Sequence, residues 1–319
     1  MNSAVLRQDH DAGEARDNAG AGRLPEFVLV GAMKSGTTTL HEYLARHPRV
    51  FLATPKEPQF FSRDEVFARG PGWYRTLFSG ARPEQLCGEA STCYTRKLEF
   101  PRAAERLAQH LPQARLVYLL RHPVERAYSH YGHLMSERLA KTGEPACSFE
   151  QALEQFPTIV DSSRYADQLA HLRRWYPESQ VLVLLLDDLK RDPCSVLARV
   201  QQFLELPPAD LLADGPARAN ESGTSLARKE ARDVSRRLRT LPLVGWLKRW
   251  LPAAWRRRLR DAAFDYALRS DAIREAQAQF RQSLSPLTPI TRVALLERFR
   301  DSTTEIADRL KRDLSDWQR

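Results

Sequence analysis

The feature that most constrains this chain is the run FVLVGAMKSGTTT at residues 27–39. Four apolar residues lead into a glycine-containing turn, and a helical pattern then runs from 37 to 46 until Pro48 stops it. Strand, loop and helix in that order leave several backbone N–H groups at the helix start without partners. Those groups, together with the helix dipole, favour an anion by roughly 0.3–1 kcal/mol for each well-placed charge. Lys34 and the hydroxyls of Thr37, Thr38 and Thr39 add charge and donors to the same loop, which makes residues 34–39 a candidate phosphate or sulfate site.

Further apolar runs at 116–120 and 181–186 read as buried strands, with a weaker one at 86–89. Pro123 and Pro193 follow the first two where a helix would start. Near-continuous apolar strands separated by helices predict an α/β fold, a parallel sheet with helices on both faces. This core is expected to run from about 25 to 206. Residues 1–24 carry small residues and mixed charges with no signal-peptide core, and are expected to be a disordered lead-in. Residues 207–319 supply loops and a helical C-terminal extension to the same single domain. In its last part, 291–317, Val293, Leu296, Phe299, Ile306, Leu310 and Leu314 recur at helical spacing and predict one closing helix packed on the domain.

The net charge is +9 and comes mostly from arginine, the residue best suited to planar contacts with phosphate and sulfate. Anionic ligands are favoured, although charge alone does not choose among nucleotide, nucleic acid and membrane. The longest apolar run, 181–186, is far below the ~20 residues needed to span a bilayer, so the expectation is a soluble protein. Cys87, Cys93, Cys147 and Cys194 are scattered, with no spacing that suggests zinc, and read as reduced thiols of a cytoplasmic protein. No metal site is predicted.

A Walker A loop would place lysine directly after its final glycine and a hydroxyl after that for magnesium. Here Thr37 follows Gly36, and Lys34 stands two residues before it. A Walker B reading of the strand ending in Asp187 and Asp188 rests on acids common at strand ends. The loop KSGTT at 34–38, after its strand, resembles the 5′-phosphosulfate loop of the sulfotransferases that use 3′-phosphoadenosine 5′-phosphosulfate (PAPS). The segment LLRHPVERAYSHY at 119–131 resembles the 3′-phosphate segment of that family, with Arg121 at a strand end and Ser129 in the next helix. The resemblance implies a P-loop-type sheet and a donor with phosphates at both ends, released as adenosine 3′,5′-bisphosphate. Lys34, Ser35, Gly36, Thr37, Thr38, Thr39, Arg121 and Ser129 would hold that donor.

Residues 54–61, TPKEPQFF, are similar to the glycan O- and N-sulfotransferase branch and its bacterial members, in which a Lys-Glu-x-[His/Gln]-Phe-Phe pattern carries a catalytic glutamate. That comparison makes Glu57 the base and gives Gln59 a part in orienting the acceptor; the plain alternative pairs Glu57 with Lys56 or a nearby arginine. Arg164 and Tyr165 are candidates for the acceptor lip, and Arg228 for a basic loop over the donor. One position departs from the pattern: many relatives carry a second lysine after a Gly-Glu pair, and here Ala90 stands there. Arg96 and Lys97 are nearby in sequence.

Residues 243–266 set three tryptophans among six basic residues. They read either as short helices packed on the core or as an interfacial patch that makes peripheral membrane contact and brings the enzyme to a lipid-linked acceptor. The leading expectation is a metal-independent sulfotransferase acting on a hydroxyl or amine of a glycan, glycolipid or small molecule. Two alternatives are a P-loop kinase using ATP and a basic nucleic-acid- or membrane-binding protein. Neither a second phosphate segment nor Glu57 is explained by the alternatives, and no nucleic-acid motif is present.

Overall fold

The computed structural model of the chain describes residues 22–216 and 271–319. Residues 1–21 of the lead-in, Arg228 and residues 243–266 lie outside the described residues. Contacts group the described chain into two compact units, one of residues 22–120 with 167–216 and the other of 121–166 with 271–319.

The first unit holds five strands: β1 (Phe27–Gly31), β2 (Val50–Leu52), β3 (Leu86–Ala90), β4 (Arg115–Leu120) and β5 (Val181–Leu185). They form one parallel sheet, flanked by helices, in the order β2-β3-β1-β4-β5. From β1 the chain builds to one side and then crosses to the other, so the loop leaving β1 sits at the point where the strand order reverses. In open α/β sheets that crevice, beyond the carboxyl ends of the strands, is where ligands bind.

Side chains alternate across each strand. Phe27, Leu29, Ala90, Val117, Leu119 and Leu184 turn to one face and pack with Leu40 and Leu44 of helix Thr37–Ala45 and with Val196, Leu197 and Val200 of helix Pro193–Phe203. Complete burial of each large aliphatic or aromatic side chain contributes ~1.5–3 kcal/mol. Glu89, which pairs in register with Val28, is directed to the opposite face. There it meets an aromatic cluster in which Phe60 stacks on Tyr74 at 4.5 Å and Phe61 meets Tyr94 edge-on at 5.6 Å.

The second unit is helical. Val124, Ala127, Tyr131 and Met135 of helix Pro123–Thr142 share a core with Phe149, Phe280, Leu295 and Phe299. Arg126 is fully buried there, and its guanidinium donates to Ile159 O at 3.1 Å and Ser163 Oγ at 3.0 Å.

Three details differ from the sequence expectation. β2 went unpredicted, because three residues at a sheet edge are too short to show a period. Leu186 opens the short helix Leu186–Arg191 instead of ending β5. The closing element is not one helix over 291–317: helix Pro289–Leu310 stops where Lys311 turns left-handed (φ 50°), and Ser315–Gln318 forms a separate 3-10 turn. Val293 lies on the outer side of that helix, 66% exposed, although Phe299 and Ile306 are buried.

Candidate active site

The loop between β1 and helix Thr37–Ala45 is shaped by its backbone. Gly31 passes so close to its neighbours that a Cβ there would meet Thr95 Oγ1 at 2.1 Å. Ala32 N donates to Leu119 O at 2.8 Å, tying the loop to the end of β4, and Ser35 N donates to Ala32 O at 3.2 Å. Lys34 has φ 70°, and Gly36, the residue before the helix, has φ 88°. A Cβ on Gly36 would also stand 2.6 Å from Leu186 Cδ1, the movable end of a side chain, so it is the positive φ that calls for glycine there. No side chain caps this helix, which leaves its leading N–H groups to another acceptor. Ser35 is buried, and its Oγ has no hydrogen-bond partner. A buried hydroxyl without a partner, beside a helix start that no side chain caps, fits a phosphate or sulfate oxygen.

Lys56 joins this loop to the candidate base. Its Nζ donates to Thr38 Oγ1 at 2.8 Å and lies 3.5 Å from Glu57 Oε1, both side chains being partly exposed. Glu57 (φ 58°) and Gln59 (φ 56°) both hold left-handed backbone, which costs side-chain-bearing residues ~1–3 kcal/mol and persists only where the surroundings enforce it. Glu57 N donates to Ala90 O at 2.9 Å, Gln59 N donates to Ser91 Oγ at 3.1 Å, and Thr92 Oγ1 donates to Glu57 Oε1 at 3.3 Å. The Gln59 side-chain oxygen accepts from Arg63 Nε.

Beneath this loop is Glu89, fully buried, which sequence reasoning missed as a site residue. Its carboxylate accepts from Tyr74 Oη at 2.7 Å, Ser91 Oγ at 2.7 Å and Tyr94 Oη at 2.9 Å. Burial pushes the Glu89 carboxyl above its usual range, against the pull of the three hydroxyls. An acid inside a short buried strand was the signal available in the sequence. Burial also lowers His41, one turn into the helix, to about 4, with Lys56 adding to the effect. The Cys93 thiol is pushed up to about 12 by burial, and none of the four cysteines is in a disulfide.

Of the cations near Ala90, Arg96 lies against Met33 of the loop, with Nη1 3.7 Å from the sulfur, and pairs with Glu99; Lys97 pairs with Asp167 at 3.7 Å. Ala90 itself packs in the apolar core.

In the second unit, Arg121 directly follows β4 and faces Glu125 at 3.8 Å. Ser129 is half-buried in helix Pro123–Thr142. Tyr165 is not at a surface lip: it is 2% exposed, and its hydroxyl donates to Arg121 O at 2.7 Å, which fixes the backbone that carries the arginine. Arg164 is exposed. Among the described residues, no group of three His, Cys, Asp or Glu could hold a metal ion, and no helix is long and apolar enough to cross a membrane.

A family model described as "Sulfotransferase domain" matches residues 24–232, more than half of the chain and the whole stretch that carries the loop, Glu57, Glu89 and Arg121. The chain belongs to the sulfotransferase family. Among relatives of this sulfotransferase, heparan sulfate glucosamine 3-O-sulfotransferase 6 of Homo sapiens is 34% identical over 190 residues, 59% of this chain and 54% of the relative. Bifunctional heparan sulfate N-deacetylase/N-sulfotransferase 3 of Homo sapiens is 31% identical over 208 residues, 58% of this chain and 23% of the relative. The chain thus spans about half the length of the first and less than a quarter of the second. A crystal structure of a sulfotransferase from Alicyclobacillus acidocaldarius superposes with a TM-score of 0.61, covering 93% of this chain and 100% of that one at 23% identity, a likeness of fold.

Proposed function

We propose that this chain transfers a sulfuryl group from PAPS to a hydroxyl or amine of a carbohydrate or related acceptor, with Glu57 as the base. The observation that carries this reading is the short chain of contacts from Thr38 through Lys56 to Glu57, which joins an anion-binding helix start to a carboxylate able to take a proton. The family match and the heparan sulfate sulfotransferase relatives support the reaction class and the carbohydrate acceptor. A cytoplasmic site of action is part of the same reading.

The acceptor O–H or N–H gives its proton to the Glu57 carboxylate as the acceptor atom forms a bond to sulfur. The bond from sulfur to the 5′-phosphate oxygen breaks in line with that attack. Negative charge then develops on the departing phosphate, where preorganised cations and N–H donors act most strongly. Lys34, Ser35 and the N–H groups of residues 36–39 are assigned to that end of the donor, and Arg121 with Ser129 to its 3′-phosphate. Lys56 is assigned the place of the second lysine that Ala90 lacks, because its ammonium stands against both Thr38 and Glu57.

The test is transfer of labelled sulfate from PAPS to an N-sulfated glucosamine oligosaccharide and to water. Glu57→Gln should lower turnover on the order of 10²–10⁴-fold. Wild-type turnover in that variant removes Glu57 as the base.

A further inference from the structure

Glu89 is a buried acid to which the transfer chemistry assigns no task. Three hydroxyls donate to its carboxylate, from Tyr74, Ser91 and Tyr94. Two of the three also accept a main-chain N–H from the loop that carries Glu57. Ser91 Oγ accepts from Gln59 N at 3.1 Å, and Tyr94 Oη accepts from Phe61 N at 3.4 Å. A hydroxyl has one proton and two lone pairs. Because the carboxylate takes the proton in each case, the lone pairs are left facing the amides of Gln59 and Phe61.

The grip extends along the strand end. Ala90 O accepts from Glu57 N, and Thr92 Oγ1 reaches the Glu57 carboxylate. Residues 90, 91, 92 and 94 therefore hold residues 57, 59 and 61 of the loop, two of which have the left-handed backbone noted above. Glu89 is the shared acceptor that sets the direction of two of these contacts. Tyr74 completes its coordination from helix Gly70–Thr76.

We propose that Glu89 is a positioning residue: acting through Ser91 and Tyr94, it orients the 57–61 loop so that Glu57 is held in its productive place. The claim rests on the reading of Glu57 as the base. Glu89→Gln keeps the size of the side chain, but its NH₂ is a pure donor that must meet at least one of the three hydroxyls. A hydroxyl so met turns its proton away from residue 89, and at Ser91 or Tyr94 the lone pair facing the amide of Gln59 or Phe61 is then no longer fixed in direction. Ser91→Ala removes one arm and leaves Glu89 with both tyrosines, so it is the milder change.

The experiment compares the full-length wild type with Glu57→Gln, Glu89→Gln and Ser91→Ala. Hydrogen exchange is read across residues 57–61, together with kcat and KM for labelled PAPS, with an N-sulfated glucosamine oligosaccharide and water as acceptors. Ser91→Ala is expected to speed exchange at Gln59, and Glu89→Gln at Gln59 or Phe61, and both to lower kcat on the order of 10–100-fold with KM for PAPS unchanged, since misplacing a reacting group costs rate more than donor binding. If Glu57→Gln is crippled while Ser91→Ala keeps wild-type exchange and kcat, the positioning claim fails alone. If Glu57→Gln itself turns over normally, the base assignment fails and takes the positioning claim with it. Should Glu89→Gln not fold, Ser91→Ala still decides between these outcomes.

Discussion

The groups assigned to anion binding at the end of β1 sit on backbone held in unusual dihedrals, whereas those assigned beyond β4 are side chains before and within a regular helix. Lys34 and Gly36 both have positive φ, and the helix they introduce has no side-chain cap. Arg121 precedes helix Pro123–Thr142 and Ser129 lies within its second turn; the N-cap, His122, accepts from Val124 N at 3.2 Å. The first arrangement is set by sterics and tolerates little change. The second is set by charge and orientation, and responds to loss of a single side chain in proportion to that one contact.

The comparison can be broken most sharply at Lys34. Lys34→Ala removes the cation assigned to the departing phosphate, and kcat should fall on the order of 10²–10³-fold in the labelled-sulfate assay. A fall in donor affinity with kcat unchanged would reduce the lysine to a binding residue.

A smaller effect is expected from Arg121→Ala, about the 1.5–3 kcal/mol of a hydrogen bond to a charged group. Calorimetric titration should show weaker binding of adenosine 3′,5′-bisphosphate and unchanged binding of AMP. Equal weakening of both would mean that Arg121 does not read the 3′-phosphate.

The smallest effect concerns pH. His41 belongs to the helix of the first region, and burial lowers it in the folded state from its ordinary value of 6.5 to about 4. Between those values the unfolded chain binds a proton that the folded chain refuses, so this contribution to stability is present above 6.5 and is lost as pH falls toward 4. Thermal unfolding followed from pH 7 to 4 should show an acid-side loss of ~1–2 kcal/mol, with the shift discounted for partial exposure, and His41→Gln should flatten it. An identical slope in the variant would assign the loss to other groups.

The contrast between the two regions also explains what the sequence made legible. The loop at 34–39 could be read because strand, glycine turn and helix follow one another within thirteen residues, and all its constraints are local. Arg121 was assigned from the resemblance of residues 119–131 to the family's 3′-phosphate segment, with its place at the end of an apolar run in agreement. Lys56 was weighed only as a partner for Glu57, because its contact with Thr38 spans eighteen positions and depends on how the 54–61 loop folds back. Glu89 was less accessible still: its partners Tyr74 and Tyr94 belong to a helix and a 3-10 turn, and only the sheet brings them to one face. Tyr165 was placed on the acceptor side from resemblance, but its ring is buried and its hydroxyl serves the Arg121 carbonyl.

The proposed donor carries phosphates at both the 5′ and 3′ positions, the loop after β1 being assigned to the first and Arg121 to the second. Thermal shift with adenosine 3′,5′-bisphosphate, AMP and ATP tests it most directly. A ligand present at 100 times its Kd stabilises the folded state by ~2.7 kcal/mol, a rise on the order of 4 °C for a chain of this size. The bisphosphate should produce that rise at concentrations where AMP and ATP, even with magnesium, do not. An equal response to AMP would contradict the 3′-phosphate site, and a response to magnesium-ATP alone would contradict the donor assignment altogether.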